Sequence, residues 1–341
     1  MKWEDLISLE YGKPVKDKYR VDGKVPVFGT NGQIGTSNLP AQCKIPSVII
    51  GRKGAYRGVH FSSVPFSVID TAFYMMPKTD ELDLKWAYYK FLTYDINRMD
   101  SGSAIPSTDR YEIYNIPVDL PSLKVQKKEV SILDAIDNKI QENERINKNL
   151  LEQAQAIYTK MFITDADSLW PEGKLSDLIE VCYGKDHKKL HDGDIPVYGS
   201  GGIMRHVDRA LYEQESVLVP RKGTLNNVMY VNEPFWSVDT MFFTKMKRQN
   251  VAKFVFHFLK GKDLASMNAG SAVPSMTTKI LNAIPLQIPD DQTLSTFEAQ
   301  VSPFYQAAPY NNKESENLAA IRDSLLPKLM SGEIDVSDID L

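Results

Sequence analysis

The amino-acid sequence predicts an α+β protein with two similar mixed α/β domains, separated by two long antiparallel helices that form a coiled coil. Three observations predict this fold. Most of the chain occurs twice at a nearly constant offset, which indicates an internal repeat. Each copy has short apolar runs between glycine and proline residues, as strands and turns have. Each copy ends in a segment whose core-facing positions recur every three or four residues, as in paired helices.

The repeat extends over more than a hundred residues, and its offset changes only from 172 to 168. Chance similarity would scatter the offset, so the two copies are predicted to fold alike. Four matched pairs of segments carry the repeat. They are Tyr11-Gly12-Lys13 and Tyr183-Gly184-Lys185, Arg52-Lys53-Gly54 and Arg221-Lys222-Gly223, Asp70-Thr71 and Asp239-Thr240, and Gly102-Ser103-Ala104 and Gly270-Ser271-Ala272.

The repeat also sets the predicted domain boundaries. Two globular domains are expected at 1–120 and 164–290, the first long helix at 121–163, and the second long helix with the C-terminal tail at 291–341. Inside the globular domains the pattern predicts strands at 48–50, 66–76, 116–120, 217–219 and 284–288, and helices at 82–99 and 251–267.

The two long helices have heptad seams that are interrupted by polar residues in the same places. A polar layer inside a seam fixes register and orientation at some cost in stability. Asn143, Asn147, Asn311 and Ser315 are therefore predicted to lie near the middle of an antiparallel helix pair, with Asn147 opposite Ser315. The alternative is one amphipathic helix on each globular domain, without pairing.

The length and the prolines of these helices lead to two further expectations. The 39 residues from Lys124 to Phe162 would extend over on the order of 58 Å as a helix, which makes a spacer between the domains. Pro303 and Pro309 lie inside the second seam, and proline removes a backbone donor from a helix. We therefore expect Pro309 to kink the second helix or delay its start.

Length and composition limit the class of protein. The 341 residues are enough for about two domains, and the net charge of −4 argues against an indiscriminate polyanion binder. The charge is uneven, because residues 13–57 hold nine basic and two acidic side chains. Apolar runs are too short to cross a membrane, and Cys43 and Cys182 are too far apart in sequence to suggest a disulfide scaffold or a structural zinc site. A cytoplasmic protein without a metal site is expected.

The sequence lacks the motifs of a DNA methyltransferase and of a nucleotide-binding loop. No Pro-Pro dipeptide occurs, so the motif with which an N6-adenine methyltransferase holds its flipped base is absent. The glycines of each copy have neither the spacing of a dinucleotide fingerprint nor the Lys-Ser/Thr of a phosphate loop. Asp70 and Asp239 recur in both copies, but general acid catalysis needs a partner group that the sequence does not identify.

The order of the segments resembles the specificity (S) subunit of type I restriction-modification systems. That family has a globular unit, a long helix, a second version of the unit and a second long helix. Asp70-Thr71, the segment 102–107 and Ile116-Pro117 resemble the framework of its target-recognition domains, and the segment 325–334 resembles its C-terminal ending. The resemblance covers essentially the whole chain. The two prolines of the second helix depart from the family pattern and put the regularity of that helix in doubt.

The resemblance implies a function and a set of partners. Each target-recognition domain would recognise one half of a split, asymmetric site in double-stranded DNA, and the helices would act as spacer and bind two methyltransferase (M) subunits. The complete complex would add restriction (R) subunits. The chain itself would perform no chemistry and hold no cofactor, while S-adenosylmethionine, ATP and Mg would belong to the partner subunits.

The basic residues that both copies share are the candidates for phosphate contacts, since residues common to both copies cannot distinguish two half-sites. These are Arg52, Lys53, Arg221 and Lys222. The alternative for them is an ordinary solvated turn. Polar residues that the copies do not share are the candidates for base contacts. They are Lys16, Lys18, Arg20, Tyr56, Arg57, Lys188, Lys189, Asn226 and Asn227.

Two other functions stay open from the sequence. One is a duplicated small-molecule or sugar-modifying enzyme that uses Asp70 and Asp239; it would need a concave pocket with converging titratable groups, whereas a DNA-binding subunit needs an exposed basic face on each domain. The other is a specificity subunit that serves a methyltransferase without nuclease partners.

Overall fold

The computed structural model describes residues 1–16, 22–99, 106–267 and 275–339. The chain divides into two compact units. Unit 1 comprises Met1–Asn143 and Lys313–Leu341, and unit 2 comprises Glu144–Asn312. The predicted class, two similar mixed α/β domains with two long helices, is confirmed.

Unit 1 begins with a short helix, continues through seven short strands and has two further short α-helices before the first long helix. These elements are α1 (Trp3–Leu6), β1 (Ile7–Tyr11), β2 (Val25–Gly29), β3 (Gly32–Ser37), β4 (Ser47–Gly51), β5 (Val59–Ser62), β6 (Ser67–Val68), β7 (Ala72–Pro77), α2 (Leu84–Leu92) and α3 (Arg110–Asn115). Strands β1, β7, β4 and β5 form an antiparallel four-stranded sheet in that order, and β3, β2 and β6 form a second sheet of three strands.

Two long helices, α4 (Leu123–Thr159) and α8 (Asp291–Met330), contribute residues to both units. Unit 2 repeats the elements of unit 1 and adds a two-stranded sheet of its first and last strands. Its elements are β8 (Glu172–Lys174), α5 (Leu175–Leu178), β9 (Ile179–Tyr183), β10 (Ile195–Gly199), β11 (Gly202–Val207), β12 (Ser216–Pro220), β13 (Met229–Val231), β14 (Trp236–Ser237), β15 (Met241–Met246), α6 (Ala252–Lys260), α7 (Thr278–Asn282) and β16 (Pro285–Gln287). The four-stranded sheet has the order β13-β12-β15-β9, and the three-stranded sheet has the order β11-β10-β14, as the repeat predicts.

The helices of the globular parts are shorter than the sequence pattern predicts. Helix α2 begins at Leu84 because the carboxylate of Asp83 accepts hydrogen bonds from the backbone N–H groups of Lys85 and Trp86. Helix α6 ends at Lys260, before Gly261. The run predicted as one strand at 66–76 is divided by a turn into β6 and β7, and the run at 116–120 contributes only an isolated bridge between Lys2 and Pro117.

The long helices form part of the core of each unit. In unit 1, Leu133 of α4 and Leu329 of α8 are buried in the same cluster as Trp3 and Trp86. In unit 2, a second cluster likewise contains buried residues of both long helices, Ala154 of α4 and Phe297 of α8 among them. Full burial of a large apolar side chain contributes about 1.5–3 kcal/mol, so each globular part is stabilised by the helices against which it packs.

The two long helices are antiparallel in each unit. In unit 1, the amide of Asn143 donates to the hydroxyl of Ser315, while Asp137 accepts from the guanidinium of Arg322, so positions ascend along one helix as they descend along the other. Asn143 also donates to the carboxylate of Glu314. That hydrogen bond and the ammonium of Lys139 hold the pKa of Glu314 below its usual value. This part of the seam is therefore polar and hydrogen-bonded.

The polar contacts of unit 2 correct the predicted register. The amide of Asn311 donates to the side-chain oxygen of Asn147 at 2.8 Å, and Asn147 donates to Asn312 and to the carbonyl oxygen of Ala308. The predicted pairing of Asn147 with Ser315 is wrong, because its partner Asn311 lies one turn earlier on α8. The repeat offset aligns the two seams but does not specify which turn of one helix faces the other.

The expectation for the prolines is also wrong in one respect. Helix α8 continues without interruption through Pro303 and Pro309, so its start is not delayed. Phe297 and Val301 of its first part are fully buried in the core of unit 2, and this packing offsets the missing backbone donors. Within the described part of the chain, no helix is long and apolar enough to cross a membrane.

Equivalent lysines attach the long helices to the globular parts. In unit 2, Nζ of Lys253 on α6 lies 2.9 Å from a carboxylate oxygen of Glu215 and 2.6 Å from one of Glu298 on α8. In unit 1, Lys85 occupies the matching position on α2 and pairs with Asp134 of α4 at 3.2 Å. Lys253 is 5% exposed, and removal of this cation would leave two partly buried carboxylates without the cation that they share.

A buried histidine connects α6 to both long helices in unit 2. Nδ1 of His257 lies 2.8 Å from Oε1 of Gln155 on α4, and Nε2 lies 2.7 Å from the hydroxyl of Tyr305 on α8. A neutral imidazole satisfies both contacts, donating from Nδ1 and accepting at Nε2. The ring is fully buried, and burial lowers the pKa of His257 to about 4.

This histidine predicts a pH dependence of stability. In the unfolded chain an imidazole has a pKa of about 6.5, so between about pH 6.5 and pH 4 the unfolded state binds a proton that the folded state does not. The contribution of His257 is present above pH 6.5 and is lost as the pH falls. We expect the free energy of unfolding of unit 2 to lose about 2 kcal/mol from this group between pH 7 and pH 5.

The measurement is urea unfolding of the full chain at both pH values, followed by fluorescence. His257→Gln keeps a hydrogen-bonding side chain but cannot titrate, so its stability should depend less on pH. His206→Gln, at an exposed position of β11, is the matched control. An equal pH dependence in wild type and His257→Gln would contradict the assignment.

Candidate nucleic-acid interface

Each unit has a short basic turn, defined here as Arg52-Lys53-Gly54 in unit 1 and Arg221-Lys222-Gly223 in unit 2. It begins where a fully buried central strand ends, β4 in unit 1 and β12 in unit 2. The buried strand fixes the position at which the chain reaches the surface. Gly54 has φ of 128° and Gly223 has φ of 85°, values that favour glycine, which explains why both copies keep it.

The repeated Asp-Thr pair holds the backbone of the basic turn. In unit 1 the carbonyl oxygen of Thr71 accepts hydrogen bonds from the N–H groups of Arg52 and Lys53, at 2.8 and 3.1 Å. In unit 2 the carbonyl oxygen of Thr240 accepts from Arg221 and Lys222, at 2.9 and 3.2 Å. The recurrence of this pair in the sequence therefore has a structural cause.

The arginine side chains are held in the same way in both units. Nη1 of Arg52 donates to the carbonyl oxygen of Asp70 at 3.1 Å, and its guanidinium carbon lies 4.8 Å from the ring centre of Tyr11. Nη1 of Arg221 donates to the carbonyl oxygen of Asp239 at 3.3 Å, and its guanidinium lies 5.3 Å from the ring of Tyr183. These hydrogen bonds use one of the five N–H donors of a guanidinium, whose fork geometry suits phosphate.

A segment that follows α2 in unit 1, and its equivalent after α6 in unit 2, contacts the basic turn. Lys53 forms a bridge with Ser107, and Lys222 forms the equivalent bridge with Ser275. The carbonyl oxygen of Arg52 accepts from the N–H of Thr108, and that of Arg221 from the N–H of Met276, both at 2.9 Å. The preceding residues of this repeated segment, at 102–105 and 270–274, lie outside the described residues.

A β-hairpin tip completes the surface around each basic turn. In unit 1 the carbonyl oxygen of Thr30, between β2 and β3, accepts from the N–H of Gly58 at 3.0 Å. In unit 2 the carbonyl oxygen of Ser200, between β10 and β11, accepts from the side-chain amide of Asn227 at 2.9 Å. A Cβ atom on Gly223 would lie 2.7 Å from the hydroxyl of Ser200, which shows how closely hairpin and turn approach.

Four of the predicted base contacts are exposed. Tyr56 is 63% exposed, and Lys16, Lys188 and Lys189 are exposed as well. Lys188 and Lys189 lie in the loop before β10, whose Leu190 carbonyl oxygen accepts a hydrogen bond from Arg205 of β11. The loop is thereby fastened to the hairpin. Two further predicted residues, Lys18 and Arg20, lie outside the described residues.

Arg57 does not have the exposure that a base contact requires. It is only 2% exposed, and its Nη2 donates to the carbonyl oxygens of Ile96 and Asn97 in the turn after α2. Its backbone N–H donates to the side chain of Asn97. The prediction that Arg57 contacts bases is wrong, because the side chain turns inward and fastens this turn to the loop after β4.

Asn226 and Asn227 are more exposed than Arg57, but they too make hydrogen bonds inside their unit. Asn226 occupies the position of Arg57 in unit 2, and it donates to Asp263 and accepts from the N–H of Ala265 in the turn after α6. Asn227 fastens the hairpin tip through Ser200. Both amides are used within unit 2. Sequence comparison marked these residues as different between the copies, but the difference concerns how each copy fastens the same turn.

One arginine with a suitable position was missed by the sequence reasoning. Arg110, at the start of α3, has its guanidinium carbon 5.2 Å from the ring of Tyr11 and 5.0 Å from the ring of Tyr111. Tyr11 is thus contacted by Arg52 and Arg110. The equivalent position in unit 2 is Thr278, so an arginine that one copy lacks was the signal available in the sequence.

A family model described as the type I restriction modification DNA specificity domain matches residues 1–152 and 167–301 of this chain. The chain belongs to this family. The resemblance to type I specificity subunits that the order of its segments predicts is therefore confirmed. The two matched ranges correspond to the two copies of the internal repeat.

Individual members of this specificity-subunit family are similar over different lengths. The type I restriction enzyme MjaIX specificity subunit of Methanocaldococcus jannaschii is 21% identical over 312 residues, which cover 78% of this chain and 72% of that protein. The type I restriction enzyme HindI specificity subunit of Haemophilus influenzae is 29% identical over 92 residues, 27% of this chain and 18% of that protein.

A solved structure supports the fold. The crystal structure of a type I restriction-modification system S subunit from M. genitalium superposes with a TM-score of 0.67 at 19% identity, covering 97% of this chain and 95% of that chain. At this identity the likeness concerns the fold alone.

The enzyme alternative is not supported. Asp70 and Asp239 are both exposed, and each contributes its backbone carbonyl oxygen to hold an arginine. A cavity of about 250 Å³ in unit 2 is lined by aromatic residues such as Tyr158 and Phe254 and does not include Asp239. In the described ranges, no group of three or more His, Cys, Asp or Glu residues is placed to bind a metal ion.

The role of Asn226 within unit 2 makes a prediction. Asn226→Ala removes two hydrogen bonds within unit 2, and each such bond contributes about 1 kcal/mol. We expect a lower urea midpoint for unit 2 with unchanged preferred bases in DNA binding. Lys188→Ala with Lys189→Ala should do the reverse, because both side chains are exposed. A change of preferred bases in Asn226→Ala at unchanged stability would restore the original assignment.

Proposed function

We propose that this chain is the non-catalytic DNA-recognition subunit of a type I restriction-modification enzyme, and that each unit binds one half of a bipartite, asymmetric site in double-stranded DNA. The observation that carries the proposal is that the basic turn and its contacts occur in both units. Arginine, lysine, tyrosine and the carbonyl oxygens that hold them recur with matching geometry in both units.

We assign phosphate contacts to the residues that both units share and base contacts to the residues that differ. Phosphates are the same at every site, so a residue that both units keep is suited to bind them. Arg52 and Arg221 are fixed by a carbonyl oxygen and an aromatic ring, which lowers the entropy lost when a phosphate is bound. Different half-sites require different base contacts, and Lys188 and Lys189 in unit 2 are exposed in a loop that is hydrogen-bonded to the β10–β11 hairpin.

The partners follow from the family and from the missing methyltransferase motif. The long helices would act as the spacer between the half-sites and as the binding surface for two M subunits, and R subunits would complete the nuclease. S-adenosylmethionine would then be bound by the M subunits, and ATP and Mg by the R subunits. The two similar units account for two copies of M on one chain.

The phosphate role predicts a uniform loss of affinity. We expect Arg52→Ala and Arg221→Ala each to weaken binding to all sequences and to reduce the slope of affinity against salt by about one. The preferred bases should not change. The measurement is binding of the assembled complex to a randomised library of bipartite duplexes at two salt concentrations.

Lys44→Ala serves as the control, because Lys44 is exposed and precedes β4, at the end of that strand opposite to the basic turn. It should change neither affinity nor slope. If Arg221→Ala altered the preferred bases of one half-site, the assignment of this residue to a phosphate would be wrong.

The partner proposal predicts a fixed stoichiometry. Co-expression with a type I methyltransferase subunit from the same operon, followed by native mass measurement, should give two M subunits for each chain. A stable complex with one M subunit, or the absence of any complex, would contradict the proposal that each unit supports one M subunit.

A further inference from the structure

A β-bulge occurs at the same place in the hairpin of each unit. In β2–β3, Val27 faces Gly35 and Phe28 faces Gln33, so Ile34 is an extra residue without a partner across the ladder. In β10–β11, Val197 faces Arg205 and Tyr198 faces Ile203, which makes Met204 the extra residue. Bulges redirect a side chain and are frequent beside functional sites.

The extra residues of both bulges are apolar and exposed, and so is Ile203 next to Met204. Ile34 is 45% exposed, and in unit 2 Ile203 and Met204 are 55% and 60% exposed. Strands β3 and β11 each pair with one neighbour in their sheets, so these side chains stand on edge strands. Exposed apolar residues on an edge strand favour association, and they are usually avoided unless they bind something.

The bulged side chains lie over a shared glycine next to the basic turn. A Cβ atom on Gly29 would be 3.5 Å from Cγ2 of Ile34 and 3.6 Å from the hydroxyl of Thr71, the residue that holds Arg52 and Lys53. In unit 2 the sulfur of Met204 lies against the equivalent Gly199. Because the glycine has no side chain, the side chain of the extra residue can lie against its backbone, close to the basic turn.

The residues at this place differ between the units, although the bulge does not. Unit 1 has Gln33 and Ile34, and unit 2 has Ile203 and Met204. A common backbone with different side chains, beside cations that both units share, is the arrangement that two half-sites of different sequence require. The neighbouring positive charge favours nucleic acid as the occupant over an apolar protein surface.

We propose that the bulged hairpins enter the DNA groove, and that Ile34 in unit 1 and Ile203 with Met204 in unit 2 contact base edges there. The inference rests on the proposed function and adds specificity-determining residues to it. A two-stranded ribbon fits the major groove, where apolar side chains distinguish thymine by its methyl group. Each of these residues therefore selects a T·A pair in its own half-site.

The test transfers the side chains of one hairpin to the other. In the complex with M subunits, Ile203→Gln with Met204→Ile gives unit 2 the residues of unit 1. Selection from a randomised library of bipartite duplexes should then show changed bases at one or two adjacent positions of one half-site. Discrimination there should fall roughly 5- to 150-fold, as for a lost base contact, while the other half-site and the salt slope stay unchanged.

A second measurement addresses the methyl group. Deoxyuridine in place of thymidine at the position assigned to Ile203 should weaken binding of the wild type and leave the variant, which has glutamine there, unaffected. Leu169→Gln is the matched control, since Leu169 is 86% exposed in unit 2 and lies in the linker before β8; it should preserve both half-sites. Ile203→Gln alone provides a milder variant if the double variant does not fold.

The outcomes separate this inference from the function on which it rests. A wild-type complex without a split sequence preference would refute the proposed function itself. A split preference that the hairpin variants leave unchanged would refute only the hairpin inference. Loss of M subunits with unchanged base preference would identify the hairpin as a protein contact and would also overturn the inference.

Discussion

The hydrogen bonds from Arg52 and Lys53 to the carbonyl oxygen of Thr71, and from Arg221 and Lys222 to that of Thr240, determine where each unit presents its positive charge. Two donors on one acceptor fix the turn, and the neighbouring aspartate carbonyl fixes the guanidinium. The buried strand before the turn and the glycine after it are both required for this geometry. The hairpin tip and the bridge from Lys53 to Ser107, or from Lys222 to Ser275, surround the basic turn.

Each unit supports this basic turn with a core that includes the long helices. Lys85 and Lys253 attach a helix to the globular part in equivalent ways, although one pairs with a single carboxylate and the other with two. His257 and Tyr89 occupy matching positions and contact the helices through different polar groups. The scaffold is thus conserved between the copies while its polar contacts have diverged.

The fold could be predicted from the repeat, because the residues that hold the backbone and side chains in place recur at a nearly constant offset. Asp70-Thr71, Tyr11 and Gly54 belong to this class, and their roles in the structure explain their recurrence. The inward orientation of Arg57 could not be inferred, since an arginine beside a glycine in a basic segment has the same appearance whether it is buried or exposed. The partner of Asn147 on α8 depends on how the two helices pack. The periodicity of the sequence does not determine that partner to within one helical turn.

The hairpin bulges were equally inaccessible to sequence reasoning. Ile34 and Met204 have no feature in the sequence that separates them from ordinary strand residues, and only the ladder register identifies them as extra residues. Lys18 and Arg20 lie outside the described residues, so their predicted base contacts remain predictions.

The central claim is that each unit specifies one half of a split DNA target. Methylation-aware sequencing of DNA from cells that express this chain with its methyltransferase subunits tests it most directly. Two defined blocks of bases separated by a gap of fixed length and free sequence are predicted, with the block assigned to unit 2 lost or replaced when residues 164–290 are exchanged for those of a relative. A single contiguous motif, or a change in both blocks after the exchange, would contradict the claim.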